Sequence, residues 1–179
     1  MKHLKVYAFL LLLPGIITST HAQADSKKQK IVEDSQHAKA EFIKADPKMS
    51  DLFSKAVGYA IFPNVGKGGL GVGGAAGNGV VYENGQQVGT AKLTQVSVGL
   101  QLGGQSYREV IFFEDQKTMD RFKKSKIEMS AQVSAVAAAS GASANAKYVE
   151  GVMVFTMQKG GLMYEASVGG QKFKYEANK

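Results

Sequence analysis

Between Gly66 and Gly89 the chain places ten of its 21 glycines, in a run reading GKGGLGVGGAAGNGVVYENGQQVG. Glycine at that density excludes a helix, because each residue costs about 1 kcal/mol relative to alanine in a helix interior. It also leaves few side chains to line a pocket. What it permits is close approach, of backbone to backbone or of backbone to a ligand. A second signature follows directly, SVGLQLGGQSYREVIFFED from Ser97 to Asp115. Together the two segments point to a β-rich binding module and away from an enzyme built on reactive side chains.

The N-terminus has the layout of an export signal. Lys2 and Lys5 precede an apolar run from Val6 to Ile17, and Ala22-Gln23-Ala24 fits a small-x-small cleavage site. The expected domain organisation is a signal peptide over residues 1–24 and a single domain over 25–179, with Ala22 as the second choice of cleavage point. The apolar run is too short to span a bilayer comfortably. The chain has no cysteine, which excludes both disulfides and the lipid anchor of a bacterial lipoprotein. The expected location is the periplasm, soluble or peripherally membrane-associated. Lys and Arg number 22 against 15 Asp and Glu; without Lys2 and Lys5 the balance is 20 against 15. That excess favours anionic partners, and export argues against nucleic acid.

Ser26 to Ala45 has helical periodicity, with Ile31, Val32, Ala38, Phe42 and Ile43 in one sector. Lys39 falls inside that sector, so its alkyl stem must run along apolar surface. Asp46-Pro47 looks like an N-cap and first helical position for a second helix that stops at Gly58. Strand patterns begin at Tyr59 to Phe62, which Pro63 ends. Asn84-Gly85 between Val80-Val81-Tyr82 and Val88 predicts a tight hairpin. Val96, Val98, Leu100 and Leu102 alternate with Gln95, Ser97, Gly99 and Gln101, as in a strand with its valines and leucines inward. Ser106 to Phe113 supplies another strand, and Asp115 caps a helix that reaches Lys126 with Met119 and Phe122 inward. Glu128 to Ala139 alternates like a strand. Gly151 to Met157, Leu162 to Val168 and Gln171 to Glu176 complete the set, the last with Phe173 and Tyr175 on one face and Lys172 and Lys174 on the other. The expected fold class is α+β: a largely antiparallel, glycine-rich sheet or partly closed barrel with N-terminal helices and one helix between strands.

Reactive chemistry is sparse. Gly69-x-Gly71-x-x-Gly74 matches the dinucleotide pattern, but that motif needs a helix to start at its third glycine, and a valine-rich strand follows instead. Gly66-Lys67 lacks the Ser or Thr of a phosphate loop. His3 and His21 lie in the signal segment, which leaves His37 on the polar side of the first helix. One histidine without cysteine makes no ordinary zinc site or triad. No catalytic residue, metal or cofactor is expected. The basic residues are the candidates. Lys117, Arg121 and Lys124 share one outer helical face, Lys67 sits within the glycine run, and Lys172 and Lys174 form a stripe on the last strand. A few lysines at about 1 kcal/mol each can hold a domain on an anionic surface.

Ala60-Ile61-Phe62-Pro63 with Lys67-Gly68-Gly69-Leu70-Gly71-Val72-Gly73-Gly74 resembles the opening of the SYLF domain. Val98-Gly99-Leu100-Gln101-Leu102-Gly103-Gly104-Gln105-Ser106, followed by Glu109-Val110-Ile111-Phe112-Phe113, resembles that family's central motif. Phe122-Lys123-Lys124-Ser125-Lys126 and Lys159-Gly160-Gly161-Leu162-Met163 fit as well. The resemblance spans about Ser50 to Tyr175. It implies a phospholipid-binding domain. Eukaryotic relatives prefer phosphoinositides, some relatives engage actin, and many bacterial relatives are lipoproteins, from which this chain departs. The expected partner is anionic phospholipid or a membrane surface, contacted reversibly through Lys67, Lys117, Arg121, Lys124, Lys172 and Lys174. The alternative is a protein–protein module of the cell envelope that pairs through a sheet edge.

Overall fold

The computed structural model describes residues 19–70, 72–98, 105–130, 132–159 and 168–178. Helices α1 (Ser19–Ala45) and α2 (Met49–Lys55) precede β1 (Gly58–Leu70), β2 (Val72–Glu83), β3 (Gln86–Val98) and β4 (Gln105–Phe113). Helix α3 (Gln116–Lys123) leads to β5 (Ala135–Ala137), a 3-10 turn at Ala142–Ala144, β6 (Val152–Gln158) and β7 (Gln171–Ala177). The strands form one sheet in the order β5-β6-β4-β1-β2-β3-β7. All pairings are antiparallel except β5 with β6. The described sheet does not close into a barrel, and the fold is α+β as the sequence suggests.

The glycine run is strand. Gly66 pairs with Ala76, Gly68 with Gly74 and Gly69 with Gly73 across β1 and β2. No helix follows the third glycine, since β2 continues to Glu83, so the phosphate-cradle geometry is missing there. The β2–β3 turn is the expected one, with Asn84 at φ 50° and Gly85 at φ 77°.

Both faces of the central strands are covered. Tyr59, Ile61, Val110, Phe112 and Phe155 pack with Ala38, Phe42, Met49 and Phe53 of α1 and α2. Ala60, Phe62, Ile111, Phe113 and Val154 pack on the opposite face with Met119 and Phe122 of α3, and with Phe173. Each large side chain buried this way contributes about 1.5–3 kcal/mol. Rings interlock on both sides, at 4.9 Å between Phe53 and Phe112 and 4.8 Å between Phe113 and Phe122.

Pro63 does not end β1. The register shifts between Ile61 and Asn64 on one side and between Phe62 and Val65 on the other, a bulge at the residue that has no N–H to give the ladder. The bulge puts Phe62 and Val65 on the same face. It also turns Asn64 toward the α1 side, a placement that matters below.

Other expectations are corrected by packing. Asp46 does not cap a helix beginning at Pro47. The helix begins at Met49, and the buried Asp46 carboxylate accepts from the backbone N–H of Lys48 at 3.2 Å and of Ser143 at 2.8 Å. Burial alone would raise its pKa, but those hydrogen bonds prevail and hold it low. Val96 does not point inward. It is 76% exposed while Gln95 is buried, because Ala91 and Leu93 fix the inner face of β3 and Gln95 follows them. Of the described residues from Glu128 to Ala139 only Ala135–Ala137 form a named strand. Ile127, Met129, Val133 and Ala135 are buried alternately, so their alternation reflects packing across the inner face, without a full ladder. The helix capped by Asp115, which accepts from the Thr118 N–H at 2.7 Å, ends at Lys123. Lys39 behaves as expected. Its ammonium lies 4.9 Å from the Phe53 centroid and donates to the Tyr59 hydroxyl at 3.2 Å, and burial lowers its pKa. The Gly99–Leu102 part of one expected strand, and Leu162 to Ser167 of another, lie outside the described residues.

Two glycines of the run make opposite demands. A Cβ at Gly79 would stand 2.5 Å from the Ile61 carbonyl oxygen and 2.6 Å from Phe62 Cδ1, whereas at Gly66 it would meet nothing within 4 Å. Gly79→Ala is therefore expected to destabilise by about 1–3 kcal/mol. Gly66→Ala is expected to be neutral or stabilising by up to about 1 kcal/mol. Urea unfolding midpoints of the two variants check the sign of each.

Candidate functional site

The C-terminal half of α1 is anchored by fully buried Ala38 and Phe42. Its N-terminal half extends over β2, β3 and β7, where the sheet is polar. A groove of about 270 Å³ lies there, lined by Lys27, Lys28 and Ile31 from the helix and by Asn78, Lys92 and Lys174 among the sheet residues. A second hollow of about 270 Å³ adjoins it, with Lys27, Lys30, Asp34, Pro63, Asn64 and Asn78. The sheet side of both is one row of registered residues. Asn64 pairs with Asn78, Asn78 with Lys92, and Lys92 with Lys174. The bulge of β1 is what brings Asn64 into this row.

The row is only partly compensated, by Glu176 in the groove and Asp34 in the adjoining hollow. Lys92 and Lys174 are directly opposite across β3 and β7, a like-charge pairing that destabilises a sheet. Lys174 is 3.5 Å from Glu176, with both side chains largely exposed, so that contact relieves little. The row continues on the other side of Asn64. Lys159 donates to the Asn64 side-chain oxygen, and Arg108 faces the bulge on β4. Burial first, then the Arg108 charge, lowers the Lys159 pKa, and Asp34 opposes them. A cation depressed by a charged neighbour is relieved by an anion.

The six basic residues expected from the sequence do not meet in one place. Lys174 lines the groove, and Lys172 lies on the same face of β7, 3.5 Å from Glu128. Lys117 and Arg121 on α3 and Lys124 just after it are exposed, while Met119 and Phe122 of α3 are buried against the opposite face of the sheet. Their outward aim is as expected, but they stand on the far side of the domain from the groove. Lys67 is half-buried on β1 opposite Gln105 and Ala75. Sequence reasoning missed Lys27, Lys28, Lys92, Asn64 and Asn78. Lys92 had a local signal, as the polar position between the inward Ala91 and Leu93; its pairing with the distant Lys174 had none.

The sequence of residues 94–179 matches the family described as Ysc84: Las17-binding protein actin regulator. Residues 94–179 thus carry a match to the SYLF-domain family. A curated relative, Beta cell expansion factor A from Aeromonas veronii, is 31% identical over 128 residues, which cover 71% of this chain and 49% of the relative. The chain thus spans about half the length of that relative. The family match is consistent with a lipid-binding domain. No described helix is long and apolar enough to cross a membrane.

The cross-strand lysines should have opposite effects on stability and binding. Lys92→Gln should raise stability by about 0.2–1 kcal/mol. The gain should shrink as salt screens the Lys92–Lys174 repulsion. Thermal melts of wild type and variant at low and high ionic strength measure both.

Proposed function

We propose that this SYLF-type domain is a non-enzymatic, exported module that binds anionic phospholipid headgroups reversibly. The observation that carries the reading is the row from Asn64 through Asn78 and Lys92 to Lys174, roofed by Lys27 and Lys28 of α1. It offers ammonium groups from three elements and side-chain amides at one shallow groove. A phosphate in that groove would neutralise charges that now repel. Asn64 and Asn78 supply donors to orient it. The α3 face holds three cations but presents no registered counterpart from a second element, so it serves as general electrostatic attraction at most. The competing reading, strand addition at a sheet edge, has less support. Residues beside β7 already occupy its outer edge, with Met129 N–H donating to Gln171 O at 2.9 Å and Tyr175 N–H to the Ser125 hydroxyl at 3.0 Å. At the other edge β5 has three residues, too short to template a partner strand.

Liposome co-sedimentation tests the proposal. Replacing Lys27, Lys92 and Lys174 with glutamine is expected to weaken binding to anionic vesicles tenfold or more, about 1.4 kcal/mol. The same change at Lys117, Arg121 and Lys124 is expected to weaken it less. Wild-type binding should fall with rising salt, and neutral vesicles should bind poorly. Equal binding by wild type and the groove variant would reject the groove; a larger loss from the α3 variant would move the contact there. Export is checked separately, by an intact mass that begins at Asp25.

A further inference from the structure

A cluster of polar side chains lies inside the apolar layer on the α3 side of the sheet. Glu109 on β4, Thr156 on β6 and Gln171 on β7 are fully buried, and Tyr107 is 5% exposed. Gln171 Nε2 donates to Glu109 Oε2 at 2.9 Å, and Tyr107 OH lies 3.5 Å from the same nitrogen. In the sheet order β1, β2 and β3 stand between β4 and β7, so this bond crosses the inner face of a coiled sheet. Three buried atoms have no partner among the described residues: Glu109 Oε1, Gln171 Oε1 and Thr156 Oγ1. An orphaned buried acceptor costs about 1–3 kcal/mol. Glu109 Oε1 and Gln171 Oε1 are both acceptors, and one proton between them satisfies both.

We propose that folded Glu109 carries a proton near neutral pH and that this proton closes an acid–amide ring with Gln171, a latch from β4 to β7 that opens when the proton is lost. In the ring, Glu109 Oε1–H donates to Gln171 Oε1 while Gln171 Nε2–H donates to Glu109 Oε2. On ionisation the proton passes to solvent, and a carboxylate is left against an amide oxygen with one donor.

Among the described residues, the groups that face Glu109 offer a carboxylate no cation. From β1 these are Phe62, its registered partner, and Val65; from β6, Thr156, its other partner, and Val154. From β7 they are Gln171 and Phe173; from β3, Leu93 and Gln95, whose Nε2 donates to Gly169 O at 2.8 Å; and from the connection after α3, Met129 and Val133. Lys67 stands further toward the glycine end of β1, and Arg108 is on the opposite face. Among the described residues Tyr107 is the one titratable neighbour, and burial, then the Glu109 charge, raises its pKa, which keeps it neutral. Burial likewise pushes Glu109 up to about 7, with the Gln171 bond opposing. An unfolded glutamate titrates near ~4.3. Between those values the folded domain holds a proton that the unfolded chain has lost. The stabilisation is therefore complete below about 4.3 and is lost as pH rises to about 7.

The test uses the full chain and Glu109→Gln, whose amide forms the same two hydrogen bonds at every pH. Unfolding of both proteins is followed by urea titration from pH 5 to pH 8. The folding constant of wild type is expected to fall relative to that of the variant, on the order of 100-fold across the range. Infrared spectra of wild type alone supply a second readout. At pH 6, where exposed carboxylates are ionised, a protonated-carboxyl band is expected, and it should vanish by pH 8–9. Parallel stability profiles, or a wild-type spectrum at pH 6 with ionised carboxylates only, would overturn the latch. The infrared result decides alone if Glu109→Gln does not fold.

Discussion

Burial on both faces of two adjacent strands is the constraint from which the rest of the domain follows. β1 presents Tyr59 and Ile61 to one side and Ala60 and Phe62 to the other; β4 does the same with Val110 and Phe112 against Ile111 and Phe113. Neither strand can be an edge, and neither face can be left to water. Two layers must cover them. α1 and α2 supply one, and α3 with the chain after it supplies the second. The strands outside this pair carry less apolar surface on the α1 side, and the polar row lies there under the N-terminal half of α1.

Local chemistry is legible in the sequence, and non-local registration is not. Asn84-Gly85 and Asp115 each specify a backbone geometry within four residues, and the structure has both. The strand read over Ser106 to Phe113 is β4, Gln105–Phe113. By contrast, Val96 reads as inward because valine alternates there with polar residues; the face is already fixed by Ala91 and Leu93. Pro63 looks like a stop because it cannot join a regular ladder, yet a bulge accommodates it. Met129 and Val133 alternate as a strand would, while their burial comes from lying across a sheet. The groove is partly legible in the same sense. Lys174 is visible as a solvent-facing strand lysine, but its opposition to Lys92 depends on a pairing between distant segments.

Two kinds of electrostatic tension coexist in the fold and differ in their surroundings. On the α1 side Lys92, Lys174, Lys159 and Arg108 repel in partial contact with water, where screening makes the cost small and an incoming anion can remove it. On the α3 side Glu109 is enclosed by apolar groups, so its cost is avoided by taking up a proton. Solvent access decides which remedy each group has. The same sheet therefore carries one charge problem open to an anion from outside and another enclosed within the protein.

The strand order separates evolutionary likeness from physical autonomy. The family match begins at residue 94, inside β3, and runs to residue 179. It contains β4 and β7 but not β1, β2 or most of β3, the strands that lie between them. A fragment cut at that border would leave β4 without β1, β7 without most of β3, and Phe113, Phe122 and Phe173 without Phe62 behind them. The elements that pack together thus extend beyond residues 94–179 and include the helices that cover Tyr59 and Phe112.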